Sequence, residues 1–277
     1  SSIQEVVGLS ILACYISTLL SVLILWLGSG SAKYLSKNIN TWTFFNSGTK
    51  SLLWNLISIS WPIWLSGIAS FGLIQSGILI VGIYHGESVA ATYGIAERLV
   101  TFVAMPMIII NAVVPPMIIK MTLEKEKSDL EKIIRVISTI AFLMSIILFS
   151  IYFFFGEIII ERLFGSQYQD AYIILLILGF GRVFYMATGA SESVLLMTGH
   201  QLVFLFVTLI SALIAIFGSI YFSTYYQVYG IAASYSIAMI FERLVFLYLV
   251  KIKQGFWTHF SIGILAREIN LKVKGKV

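Results

Sequence analysis

Residues Ile133–Phe155 read IIRVISTIAFLMSIILFSIYFFF. The run holds about 23 residues, and its only charge, Arg135, lies near its start. As a helix it covers about 34 Å, enough to cross a hydrocarbon core about 30 Å thick. Apolar and polar residues do not alternate along it, so it is not a strand of a membrane barrel. Six further stretches are likewise long, apolar and without alternation: Val6–Leu27, Leu56–Tyr84, Ser88–Ile119, Tyr172–Met197, Leu202–Phe222 and Val228–Val250. The sequence therefore predicts an all-α polytopic membrane protein with about seven transmembrane helices. Composition agrees: 11% of residues are charged and 59% hydrophobic, against about 25% charged in a soluble domain.

The charges orient the spans. If successive connections alternate sides, one side collects Lys33, Lys37, Lys50, Lys120, Lys125, Lys127, Lys132, Arg135, Lys251, Lys253, Arg267, Lys272, Lys274 and Lys276. The other collects only Arg162. Lys and Arg accumulate on the cytoplasmic side, which predicts a cytoplasmic C-terminus. Basic loops facing anionic lipid account for the net charge of +5, and nucleic acid is not an expected partner. The single cysteine, Cys14, lies in a span, so no intrachain disulfide is expected. Ser1–Glu5 carry no basic signal-peptide start, and seven spans put the N-terminus outside. The chain thus reads as the later part of a longer protein.

Four segments follow. Residues 1–27 hold one span standing apart. Residues 28–55 mix Lys33, Lys37 and Lys50 with Tyr34, Trp42, Phe44 and Phe45, an amphipathic cytoplasmic linker. Residues 56–252 form a six-span bundle with short loops. Residues 253–277 read as an amphipathic helix lying on the inner leaflet. Pro106, Pro115 and Pro116 should kink the span Ser88–Ile119. Ser128-Asp129-Leu130-Glu131 fits a capping box opening the next span. No phosphate-binding loop, cysteine pair or histidine pair is present, so neither a metal nor a catalytic centre is expected.

The informative residues are the charges inside spans. A cation at bilayer depth costs roughly 2.5–3.5 kcal/mol, so each needs a reason. Arg182 lies about ten residues into its span, too deep to snorkel, and follows Gly179 and Gly181. It is either an anion site, its planar fork holding phosphate oxygens, or half of an ion pair with Glu97 or Glu242. Arg98 and Glu97 are sequence neighbours, about 100° apart on a helix, so each needs its own partner or water. Arg98 is a candidate substrate contact. Glu192 is a candidate site for a coupling proton or cation, or a satisfied polar contact. Glu242 and Arg243 read as snorkelling or paired across helices, and Arg243→Lys is expected to be nearly neutral.

Several short motifs then fall in order. Trp61-Pro62 opens a Gly-rich span ending at Gly82. Gly86-Glu87-Ser88-Val89-Ala90 is followed by Tyr93, Ala96, Arg98, Leu99 and Pro115. Leu163-Phe164-Gly165 precedes Tyr168 and Ala171, and Leu195-Leu196-Met197-Thr198-Gly199-His200 ends a span. Together they resemble the Wzx-type oligosaccharide-lipid flippases, polysaccharide exporters related to the MATE transporters. The resemblance covers Leu56–Val250 by motif and Val6–Asn55 by architecture.

That resemblance implies twelve helices in two six-helix lobes around a cavity. On this plan the first span is the last helix of one lobe, and 56–252 is the second lobe. Length is the departure, since most of a first lobe is missing. The implied activity is transport, not catalysis. A glycan on undecaprenyl pyrophosphate moves from the inner to the outer face of the bacterial cytoplasmic membrane by alternating access. No cofactor is implied beyond a proton or sodium gradient, and other polysaccharide-assembly proteins are implied partners. Arg98 matches the family's basic position. Arg182 matches no motif and rests on its depth. Glu97, Glu192 and Glu242 are candidate coupling or ion-pair acids, Arg243 is secondary, and Pro106, Pro115, Gly179 and Gly181 are candidate hinges. A MATE-type drug or metabolite antiporter is the alternative, though it calls for an acid-dominated cavity. A polysaccharide polymerase or ligase, which needs a large external loop, and a seven-helix receptor are weaker.

Overall fold

The computed structural model describes residues 47–124 and 127–273. The first span, Val6–Leu27, and the linker as far as residue 46 lie outside the described residues. The chain divides into two units, Ser1–Ser58 and Ile59–Val277. Only the start of one helix is described in the first; the second is a helical bundle.

The elements are α1 (Ser47–His85), α2 (Glu87–Val103), α3 (Met105–Leu123), α4 (Lys127–Phe164), a 3-10 turn (Ser166–Tyr168), α5 (Ala171–Thr188), α6 (Ser191–Met197), α7 (Gln201–Gln254) and α8 (Ile262–Val273). No strand occurs among the described residues. Five stretches there are long and apolar enough to cross a membrane: Ser60–His85, Met105–Thr122, Lys127–Phe164, Ala171–Thr188 and Gln201–Gln254. The last is folded back on itself at Gln227, where φ 50 and ψ −136 leave the helical region. A straight helix would hold Phe204 and Phe246 about 63 Å apart, yet their rings stack with centroids 5.0 Å apart. The two arms of α7 are therefore the antiparallel pair expected at Leu202–Phe222 and Val228–Val250.

The bundle is patterned for lipid. Large apolar residues such as Phe154, Phe206, Phe217 and Tyr225 face outward, Phe154 at 72% exposure. Small and hydroxylated residues face inward, among them Ser145, Ser211, Ala215, Ser219, Ala232 and Ala238. Helices in lipid gain little by burying large apolar groups and associate through close backbone approach. This is an all-α polytopic membrane protein. α4 extends about 57 Å, carrying Lys127, Lys132 and Arg135 at one end and Glu157, Glu161 and Arg162 at the other. At the acidic end His85 Nε2 and Ser223 Oγ lie 2.8 Å apart. At the basic end Lys127 Nζ reaches Gln254 O at 3.4 Å.

Several local expectations change. α1 begins at Ser47, so residues 47–55 of the expected linker are helical. The span Ser88–Ile119 is two helices that break at Ala104, φ −87 and ψ −5. Pro106 sits in the first turn beyond that break, where its missing N–H costs nothing. Pro115 and Pro116 run inside α3 without ending it. The capping box does not form, because Glu131 turns to Arg135, 3.2 Å, and to the Trp257 N–H, 3.5 Å.

Gly179 and Gly181, the candidate hinges, coincide with no break in the helix. Both lie inside the unbroken α5, where a side chain has no room. A Cβ at Gly179 would come 2.6 Å from Phe149, and one at Gly181 would come 3.0 Å from Ser236. The break comes at Gly189, with φ 68 and ψ −154, a region only glycine adopts readily. A Cβ there would also fall on Ser138 Oγ and Thr258 O. Gly189→Ala is expected to cost about 1–3 kcal/mol from the backbone alone, read as a lowered midpoint of thermal unfolding in detergent.

The interior has two apolar cores stacked along the bundle. One holds Tyr93, Val103, Leu178, Ile231 and Met239. The other holds Met107, Ile118, Met186, Leu195 and Phe246. Along α5 the boundary falls between Leu178 and Met186; along α7, between Met239 and Phe246. Tyr185 packs against both cores. The break at Ala104 falls at the same level, between Val103 and Met107.

Candidate functional site

Charged and polar side chains fill the layer between the cores. On α5 they are Arg182 and the hydroxyl-bearing Tyr185; on α7 they are Glu242 and Arg243. Each lies within one or two helical turns of both cores along its own helix.

Arg243 is the most tightly held. Its Nη1 donates to Glu192 Oε2 at 2.7 Å and its Nη2 to Glu242 Oε2 at 2.9 Å. Its guanidinium carbon lies 4.3 Å from the Tyr185 ring centroid and 5.2 Å from that of Phe246. The Arg243 side chain is 10% exposed, Glu242 2% and Glu192 25%. Of the two readings open for this pair, snorkelling is excluded by burial, and pairing across helices is what forms. On this geometry Arg243→Lys is expected to be costly rather than neutral. An ammonium cannot present two divergent donors while stacking flat on an aromatic face. Close by on α6, Ser193 Oγ donates to Asn111 Oδ1 at 3.2 Å.

Arg182 is placed differently. Its Nη2 donates to Tyr235 Oη at 3.0 Å, and its guanidinium carbon lies 5.8 Å from the Tyr235 ring centroid. Its Nε is buried with no partner among the described residues. Neither expected acid pairs with it. Glu242 is committed to Arg243, and Glu97 is close enough to interact electrostatically without forming an ion pair. Arg182 is therefore a half-buried cation with donors to spare. Tyr235 was missed from sequence. Its signal was a polar interruption, Ser234-Tyr235-Ser236, in the middle of an apolar span.

Glu97 and Arg98 open onto a cleft of about 740 Å³. α1 supplies Gln75 and Ile78; α2 supplies Glu87, Gly94, Glu97, Arg98 and Thr101; Phe164 at the end of α4 and Tyr168 in the 3-10 turn close it. Arg98 is exposed there and has no hydrogen bond or ion pair among the described residues. The Glu97 carboxylate is half-buried and also without a hydrogen bond. Glu97 thus stands between the cleft and Arg182. The structure brings Glu97, Arg182 and Tyr235 together and gathers Glu192, Glu242 and Arg243. Arg98 stays apart on the cleft wall. No cluster of metal-ligand type occurs among the described residues.

Chemically, the site offers cationic donors inside a membrane bundle, with hydroxyl and carboxylate groups beside them. Such an arrangement binds and shields polar or anionic groups in a low-dielectric setting. No curated protein and no solved structure matches the chain. Residues 5–173 match the profile of the family described as polysaccharide biosynthesis protein. The match includes Glu97 and Arg98 and stops short of Arg182. It covers more than half of the chain, which therefore belongs to the polysaccharide biosynthesis protein family.

Proposed function

We propose that the protein flips a polyprenyl-pyrophosphate-linked oligosaccharide across the bacterial cytoplasmic membrane, as a transporter and not as an enzyme. The observation that carries this reading is Arg182, a cation inside the bundle that has, among the described residues, no acid partner and an unbonded buried Nε. A guanidinium left so is poised for an anionic group such as a phosphate. Unpaired polar groups are very costly in hydrocarbon, so sugars and pyrophosphate need such a lining to cross. The polyprenyl chain stays in lipid. Arg98, unpaired in the cleft, serves as a second contact for the anionic headgroup. The basic end faces the cytoplasm on this reading. Membership of a polysaccharide biosynthesis family supports the substrate class.

The buried Glu192–Arg243–Glu242 group has two acids and one base. A proton or sodium ion that balances the excess charge would couple transport to a gradient. A cation antiporter is the second reading, because Glu87 and Glu97 share the cleft with Arg98.

The experiment is a gene deletion. Flipping predicts loss of surface glycan with lipid-linked intermediate trapped inside, and unchanged resistance to cationic drugs. Antiport predicts the reverse. At the level of single residues, Tyr235→Phe removes one hydrogen bond to Arg182, worth about 1 kcal/mol. It is expected to lower surface glycan about fivefold and leave protein abundance unchanged, measured by lectin binding and immunoblot.

A further inference from the structure

Beyond its last span the chain turns back onto the bundle. Gly255 ends α7, and Phe256–Ser261 run non-helically over the basic end. Two helices grip this segment. On α5, Thr188 O accepts from Thr258 Oγ1 at 3.0 Å, and Ala187 O accepts from the Phe260 N–H at 3.0 Å. The break at Gly189 leaves these carbonyls without helical donors. On α4, Thr139 Oγ1 accepts the Ser261 N–H at 2.8 Å, and Phe142 stacks on Phe260 with centroids 4.3 Å apart. Thr258 is fully buried.

The joint beneath is lined with hydroxyls. Ser138 Oγ and Ser191 Oγ, on α4 and at the start of α6, are buried with no partner among the described residues. Opening an ordinary core exposes apolar surface to water. Here water would satisfy two unpaired hydroxyls and the freed carbonyls, which offsets much of that cost. One residue beyond Ser191, Glu192 holds Arg243.

We propose that Phe256–Ser261 is a latch on a joint at Gly189–Ala190. Seated, it closes a hydroxyl-lined seam between α4, α5 and α6. Unseated, it admits water from the basic end toward the Glu192–Arg243 pair. The inference concerns the bundle's motion and does not depend on which solute is carried.

The test uses Ser191→Cys, a near-isosteric change at a hydroxyl with no partner, in a Cys14→Ser background. Open membrane fragments are treated with a hydrophilic maleimide. Labelling is expected to be slow with the latch intact. It should rise about tenfold in Thr258→Val, which keeps side-chain volume and removes about one buried hydrogen bond. It should rise further when Phe260→Ala is added. A separate Ser166→Cys, exposed at the opposite end, should label at one rate throughout. Fast labelling of Ser191→Cys with the latch intact overturns the proposal. So does an unchanged slow rate in both latch variants.

Discussion

Arg243→Ala is expected to destabilise the bundle by about 3–5 kcal/mol, the cost of removing one partner from a buried ion pair. The two carboxylates it leaves are unequal. Glu242 is almost fully buried and loses its Arg243 donor outright, while Glu192 is less buried. The Tyr185 face that the guanidinium covers is left without its partner. Arg243→Lys should recover part of the loss, since one ammonium can serve one carboxylate but not both in the present geometry. Thermal unfolding in detergent measures this, with Arg182→Ala as the comparison. Among the described residues Arg182 has one hydrogen bond and no ion pair, so its removal should shift the midpoint far less.

Arg182→Ala has its large effect elsewhere. On the transport reading it removes the cation that faces an anionic headgroup in a water-poor interior. Losing one such preorganised donor costs about a hundredfold or more in rate. Surface glycan should fall by that order while the protein remains in the membrane at normal levels. Arg182→Lys keeps the charge and loses the fork, and should retain part of the activity. The pair of arginines then separates cleanly: Arg243 acts on stability, Arg182 on export.

Much of this was legible in the sequence, for physical reasons that can be named. The spans were, because a hydrocarbon core demands long apolar runs, and Ile133–Phe155 admits no other reading. The Leu202–Val250 hairpin was, because a short polar break separates two span-length runs. The depth of Arg182 and Arg243 followed from counting residues. Their difference did not. Whether a deep cation is paired depends on rotations of several helices, and Glu242 had to be placed before Arg182 could be seen as unpaired. The break at Gly189 was not anticipated because glycine has two uses. At Gly179 and Gly181 it makes room for Phe149 and Ser236; at Gly189 it supplies a backbone conformation. Sequence shows the residue and not which use it serves. The tail showed its aromatic and basic character, yet the bonds of Thr258 and Phe260 to α5 are long-range and leave no local pattern.

The most direct measurement is the sidedness of lipid-linked glycan in membrane vesicles from cells carrying either the unaltered protein or Arg182→Ala, at equal protein levels. Glycan on the outer face is cut by an impermeant glycosidase; glycan on the inner face is protected. The account predicts that most glycan is accessible with Arg182 present and protected in the alanine variant, with the lysine variant between. Equal accessibility in all three would contradict the claim that an unpaired arginine inside the bundle carries the anionic headgroup across.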